Sequence, residues 1–392
     1  MNPIHPQVPK TLLVAPDSFK GSLSAVAICQ SVEKVVKKMG WPIQVVSRPM
    51  SDGGEGFVDA VLYAGLAQSV TLEVQNPIGK AVSATFAWQP DSRTAIVEMA
   101  QASGLPLLSQ DERNPLKASS YGTGQLLVRA IEMGAKKIVL GLGGSATNDG
   151  GAGALQALGF QMLNSHNQSI GPGPKGLSEL SKIGFEPQGQ ITLERLQSIE
   201  WVIACDVTNP LLGPLGATAV FGPQKGVTPA LYSMIETSLQ HFADLMERRF
   251  KRSVRNLPGA GAAGGMAGGF VGFLDAKLVS GFTLLADLLA LENLFEEQKI
   301  DCVLTAEGKI DEQTQYGKLP AQIALMAQRH HVPCVAICGK LEASLQDLPM
   351  FKALHSIHEH LPPETPLEIL LTQTPQNLTK TLKQHLPTWL AN

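Results

Sequence analysis

The sequence has no block of lysine and arginine and no basic stripe interleaved with aromatics, and its formal net charge is −3. General electrostatic attraction to nucleic acid or to an anionic membrane is therefore not expected. Long bulky apolar runs are also missing. The most apolar stretch, GAGAAGGMAGGFVGFL at residues 259–274, is mostly Gly and Ala, short of the about 20 strongly apolar residues that a membrane span needs. The opening MNPIHPQVPK lacks the apolar segment of a signal peptide. The five cysteines form no CxxC pair; an odd count scattered through apolar runs suits reduced, buried thiols in a cytoplasmic protein. There is no Walker A motif, because the four GK pairs at Gly79, Gly308, Gly317 and Gly339 are never followed by Ser or Thr. P-loop enzymes and protein kinases are disfavoured on that ground. HExxH, a Cys/His zinc cluster and a GxSxG elbow are absent as well.

What is present is a folded chain, 44% apolar and 17% charged, long enough at 392 residues for two domains. Near the start, TLLVAP reads as a buried strand and DSFKGS as a polar turn. Ser24 can cap a helix whose stripe is Ile28, Val32, Val35, Val36 and Met39, with Gly40 as its stop. IQVVS and the turn PMSDGGEG complete a strand–helix–strand unit. From about residue 69 the pattern alternates, and an antiparallel sheet is expected over Val70–Val74, Val82–Trp88 and Ala95–Met99. Residues 164–198 are polar and rich in Pro and Gly, and read as irregular. Helices are expected over about 124–133, 229–250 and 319–329, strands at 200–206, 301–308 and 332–340, and a last strand and helix in the tail.

The stretch GLGGSATNDGGAG, residues 141–153, follows the short apolar run KKIVL and precedes ALQALGF. A strand, a glycine turn and a helix start together predict an anion site. GLGGSA also fits a dinucleotide fingerprint, as does GAGAAG at residues 259–264. Neither has the full context: the second follows no strand, and no strand ending in an acid lies about 20 residues beyond the first. GAGAAG is read as core or hinge. Six polar turns follow strands: PDSFKGS, SDGGEG, GGSATNDGG, CDVTNP, FGPQKG and AEGKIDEQT. Five carry an acid and three a lysine. Taken singly, each has an ordinary explanation as a turn or a solvated charge. Together they hold what phosphoryl transfer needs: donors for phosphate, carboxylates for Mg²⁺, and a proton acceptor.

In this order, APDSFKGSLSA, PMSDGGEG, GLGGSATNDGGAGALQALG, ACDVTNPLLGP, FGPQKG, GAGAAGG and AEGKIDEQT resemble the bacterial class I glycerate kinases of the glycerate 2-kinase type. The resemblance runs from about Lys10 to Lys340, with small departures at Ser51, Ala306 and Lys309. It implies phosphorylation of D-glycerate by ATP to 2-phosphoglycerate and ADP. It implies an α/β fold in which a discontinuous Rossmann-like domain from both termini, residues 1–70 and 285–392, carries an inserted mixed α/β domain, residues 71–284, with the active site in the interdomain cleft. Chemistry and position then suggest roles. Asp149, Asp206 and Lys225 are the catalytic candidates, and Asp17, Ser18, Lys20, Asp52 and Glu55 the substrate-binding ones, with Arg48 an outside choice. Gly143, Gly144, Ser145, Thr147, Asn148, Glu307 and Lys309 would hold the nucleotide, and Asp149 and Asp311 the metal. The partners expected are D-glycerate and ATP, with neither nucleic acid nor membrane, and a homodimer is left open. The alternative reading is an NAD-dependent oxidoreductase of a small hydroxy acid.

Overall fold

The computed structural model describes residues 9–362 and 364–390; the opening segment read above as lacking a leader lies largely outside them. Contacts divide the chain into two compact units. The first takes residues up to 51, residues 59–65, and the chain from 285 onward; the second takes 52–58 and 66–284. The SDGGEG turn from Asp52 onward thus goes with the second unit.

The first unit is built on a five-stranded, wholly parallel sheet. Its order is Ala353–Ser356, Cys334–Leu341, Cys302–Ile310, Lys10–Val14, Ile43–Ser47. The helix Ala25–Met39 begins as its sequence predicts: the Ser24 side chain accepts from the Ala27 N–H, and Gly40 closes it at φ 64°. Ile28, Val32, Val35 and Val36 are buried, while Met39 is exposed. They join Leu12, Val14, Leu304 and Ile337 of the sheet in one core with Leu378, Leu382 and Leu386 of the helix Leu367–Trp389. From Lys10–Val14 the chain goes first to one side of the sheet and later to the other. Such a switch leaves the loops at the carboxyl ends of the two central strands beside each other. The Asp17 N–H accordingly donates to Ala306 O at 2.9 Å.

The second unit has a six-stranded mixed sheet. Lys277–Val279, Glu200–Ala204, Lys137–Gly141 and Thr94–Glu98 run parallel. Ala81–Gln89 and Gln68–Gln75 close one edge in antiparallel sense. The expected antiparallel sheet is therefore the margin of a larger one. Its third strand is shared, because Thr94–Glu98 is buried along its length and can take a parallel neighbour on its other side. The polar stretch 164–198, read as irregular, contains two short helices and the strand Lys182–Phe185, which pairs with Phe160–Leu163. Its apolar residues Leu177, Leu180, Ile183 and Leu196 are buried in the same core as Phe242 and Phe270. No helix among the described residues is long and apolar enough to cross a membrane.

Candidate functional site

In the second unit, the strands Lys137–Gly141 and Glu200–Ala204 end level with each other, Gly141 opposite Ala204. The glycine turn leaves the first and Asp206 follows the second. Gly53 and Gly54 of the SDGGEG turn lie against both. A Cβ on Gly143 would fall 2.1 Å from the Gly54 Cα, and one on Gly53, which sits at φ +87°, would meet the Ala204 Cβ at 2.9 Å. Glycine is needed here because three backbone segments converge with no room for a side chain. The result is a cleft of about 210 Å³, with Asp52, Gly143, Gly144, Ser145, Asp206 and Gln224 in its lining.

Lys225 lies beneath the turn and is almost wholly buried. Its ammonium donates to Ser145 Oγ at 2.8 Å and to Thr147 O at 2.7 Å. Burial pushes its pKa down to about 7, partly opposed by the negative charge of Asp149. The turn is pinned from the other side by Leu105 N donating to Gly144 O at 2.8 Å and Ala146 N to Ser103 O at 2.9 Å. Thr147 and Asn148 face inward and are buried; Thr147 Oγ1 and both amide atoms of Asn148 have no hydrogen-bond partner among the described residues.

Asp149 departs from its expected role. It is completely buried. Its Oδ2 accepts from Ser120 N at 2.8 Å, Ser120 Oγ at 2.8 Å and Gly153 N at 3.2 Å, and its Oδ1 from Gly151 N at 3.1 Å. The anion at the start of the short helix Ala152–Ala157 is thus this carboxylate. The helix-start donors that seemed ready for phosphate are already used, and Asp149 does not line the cleft. The acids that do are Asp52 and Asp206. Asp206 accepts from Gly281 N at 3.0 Å. Partial desolvation of its carboxyl raises its pKa, hydrogen bonds from Ser280 and Gly281 oppose the rise, and the negative charge of Asp52 adds to it. Glu55 is exposed and is not part of the lining.

Two residues of GAGAAG also line the cleft. The helix Ala262–Leu274 opens with three consecutive left-handed residues, Ala263 at φ 53°, Gly264 at 63° and Gly265 at 90°. Gly264 O accepts from Gly150 N at 3.0 Å, and Ala262 and Ala263 reach the cleft. The stretch is expected from sequence as core or hinge; the signal for its place at the cleft is the second glycine fingerprint. An alanine forced into the left-handed region stores strain.

The other expected residues form a second group in the first unit. Asp17 is buried, with Ser18 N donating to its Oδ1 at 2.6 Å. Ser22 turns back to Phe19 O, and Arg48 donates to the carbonyls of Ser47 and Leu289. Asp311 accepts from Lys318 Nζ at 3.0 Å and from Gln313 N at 3.1 Å, while Lys309 lies 3.2 Å from its other oxygen and 2.7 Å from Glu342. Its charge is met by two lysines, which leaves it poorly suited to the metal role expected of it. Glu307 differs. Burial raises its pKa to about 7, the Asp17 and Asp311 charges adding while Lys318 and Lys20 oppose, and its Oε2 has no partner among the described residues.

The model of the glycerate kinase family matches residues 12–390. Glycerate 2-kinase of Escherichia coli K12 is 42% identical over 335 residues, covering 84% of this chain and 85% of that protein. A glycerate kinase of Haemophilus influenzae Rd is 40% identical over 375 residues, 94% and 96% of the two chains. A solved structure assigned as glycerate kinase 2 from Salmonella typhimurium LT2 matches with a TM-score of 0.81 at 38% identity, over 97% of this chain and 98% of that one. The motifs, the α/β fold and these relatives agree, and the chain belongs to the glycerate kinase family.

Proposed function

We propose that the protein transfers the γ-phosphoryl group of ATP to the 2-hydroxyl of D-glycerate, forming 2-phosphoglycerate and ADP. The observation that carries this reading is the cleft of the second unit. Backbone of Gly143, Gly144 and Ser145 forms one wall, Asp52 and Asp206 supply carboxylates, and a buried lysine braces the turn from beneath. Preorganised donors beside developing phosphoryl charge are the main resource of phosphoryl-transfer sites.

The substrate hydroxyl gives up its proton as its oxygen bonds the γ-phosphorus and the bond to the ADP oxygen breaks. Asp206 takes that proton in this reading, because its raised pKa makes it a better acceptor than an ordinary carboxylate. Asp149 holds the turn in shape and is not the base. Lys225 fixes Ser145 and Thr147 and places its partial positive charge behind the phosphate-binding backbone. The cleft suits Mg²⁺ because its acids, Asp52 and Asp206, are oxygen donors. Asp52 would hold it, in keeping with the one or two carboxylates such sites use beside phosphates. Bound there, Mg²⁺ would neutralise charge on the transferring phosphate.

A coupled assay of ADP release with D-glycerate, joined to phosphorus NMR of the product, tests the reaction and the position phosphorylated. Asp206→Asn is expected to lower kcat about 10²–10⁴-fold, the usual worth of a general base. Near-normal turnover would remove Asp206 from that role.

A further inference from the structure

The cleft at the glycine turn is small for what a kinase must hold. At about 210 Å³ it lies below the roughly 300–1,000 Å³ common for small-molecule sites. It has room for phosphates or a three-carbon acid, but not for a nucleoside as well. The same unit contains a much larger hollow, of about 870 Å³. A hydrogen bond links residues of the two linings. Arg113 lines the hollow, and its guanidinium donates to Gln224 O at 3.2 Å. Gln224 lines the cleft, and its neighbour Lys225 donates to Ser145 in the glycine turn.

We propose that this hollow is the subsite for the nucleoside of the phosphoryl donor, with Arg113 at the junction where the phosphate chain enters the cleft. The inference rests on the kinase reading above and adds a location to it. Its chemistry suits a purine nucleoside. Tyr121 is exposed in its lining and offers a ring face for stacking. Gln75 and Gln156, whose side chains end in amides, are also among its lining residues. They carry both donors and acceptors, which is what the edge of a purine demands. Lys117 adds a second cation to Arg113 in the lining, which also contains the acids Asp111, Glu112 and Glu186; Glu112 is paired with Lys80 at 2.6 Å. Arg113 can engage a phosphate by two parallel hydrogen bonds, a geometry lysine lacks.

The test uses the full-length enzyme and two readouts. KM for ATP and KM for D-glycerate are measured separately, and ADP binding is titrated calorimetrically without turnover. Arg113→Ala and Tyr121→Ser are expected to raise KM for ATP and Kd for ADP at least tenfold, and KM for D-glycerate less than twofold; Tyr121→Phe, which keeps the ring, should restore ADP binding. If both variants are folded and bind ADP as the wild type does, the subsite is elsewhere and the kinase reading stands. If the wild type binds ADP through Tyr121 and Arg113 but phosphorylates no hydroxy acid, the reaction assignment fails and the subsite survives. An equal rise in both KM values, or loss of ADP binding that Tyr121→Phe does not restore, would mean that these residues shape the unit as a whole and would overturn the proposal.

Discussion

The two acid-and-lysine regions, residues 141–153 with Lys225 and residues 306–318, look alike on paper and are built on opposite principles. In the first, the charged groups are buried and held by neutral partners. Asp149 accepts four backbone or hydroxyl hydrogen bonds, and Lys225 donates to a hydroxyl and a carbonyl. In the second, Lys309, Lys318, Asp311 and Glu342 form a chain of partly exposed ion pairs. Buried charges with neutral partners are costly to disturb, because removal of either side leaves a desolvated polar group behind. Exposed pairs are screened and individually weak. Glu307 is the exception within the second region, being largely desolvated beside them.

The sharpest way to break the comparison is Lys225→Met. Loss of the charge behind the glycine turn, proposed to bind phosphate, should lower kcat/KM about 10²–10³-fold, the scale of one oxyanion-type donor. Steady-state kinetics with a circular-dichroism control would check it, and a change under fivefold would mean the lysine is only structural. The same variant tests the pKa. The folded value of about 7 lies below the ordinary lysine value of 10.5, so between these pH values the unfolded chain binds more protons and wild-type stability rises with pH. That slope should vanish in Lys225→Met when denaturation midpoints are compared from pH 7 to 10.

Next in size is Asp149→Ala, which strands the donors of Ser120, Gly151 and Gly153. A loss of about 3 kcal/mol in urea unfolding is expected. Unchanged stability with lost turnover would return Asp149 to the chemistry. Glu307→Gln should act more gently and through pH. Its folded pKa of about 7 is raised from 4.5, so the wild-type contribution is full below pH 4.5 and is lost as the pH rises through 7. Thermal unfolding of the two proteins should therefore diverge in the variant's favour across that window; parallel curves would mean the carboxyl is not desolvated in solution. Smallest of all, Lys309→Ala should shift Tm by less than about 2 °C and by less still in high salt. A large, salt-independent shift would mean the two regions are not different in kind.

Much of the scaffold was legible in the sequence. The Ser24 cap, the 3.6-residue stripe and Gly40 mark the helix Ala25–Met39, and the helices Pro229–Phe250 and Leu319–Arg329 follow from the same local rules. Cap and periodicity signals involve residues within one or two turns, so one stretch of chain contains all the information. Residues 164–198 escaped because their short elements are stabilised by burial of Leu177, Ile183 and Leu196 in a core made elsewhere. The mixed sheet escaped for a related reason: a strand's second neighbour is set by distant chain.

The candidate site was legible as a set of turns and not as an arrangement. By itself the sequence determined that glycines and acids follow strand ends, since turn chemistry is local; FGPQKG, also expected after a strand, follows the helix Ala217–Phe221 instead. Only the tertiary structure decided which way each side chain points. It turned Asp149 inward, because Ser120 and two glycine N–H groups converge on its carboxylate from segments about 30 residues apart and next door. It left Asp206 at the cleft and brought Lys225 under Ser145 from 80 residues away. Desolvation and long-range hydrogen bonding depend on everything packed around a group, and that is written in no single stretch of chain.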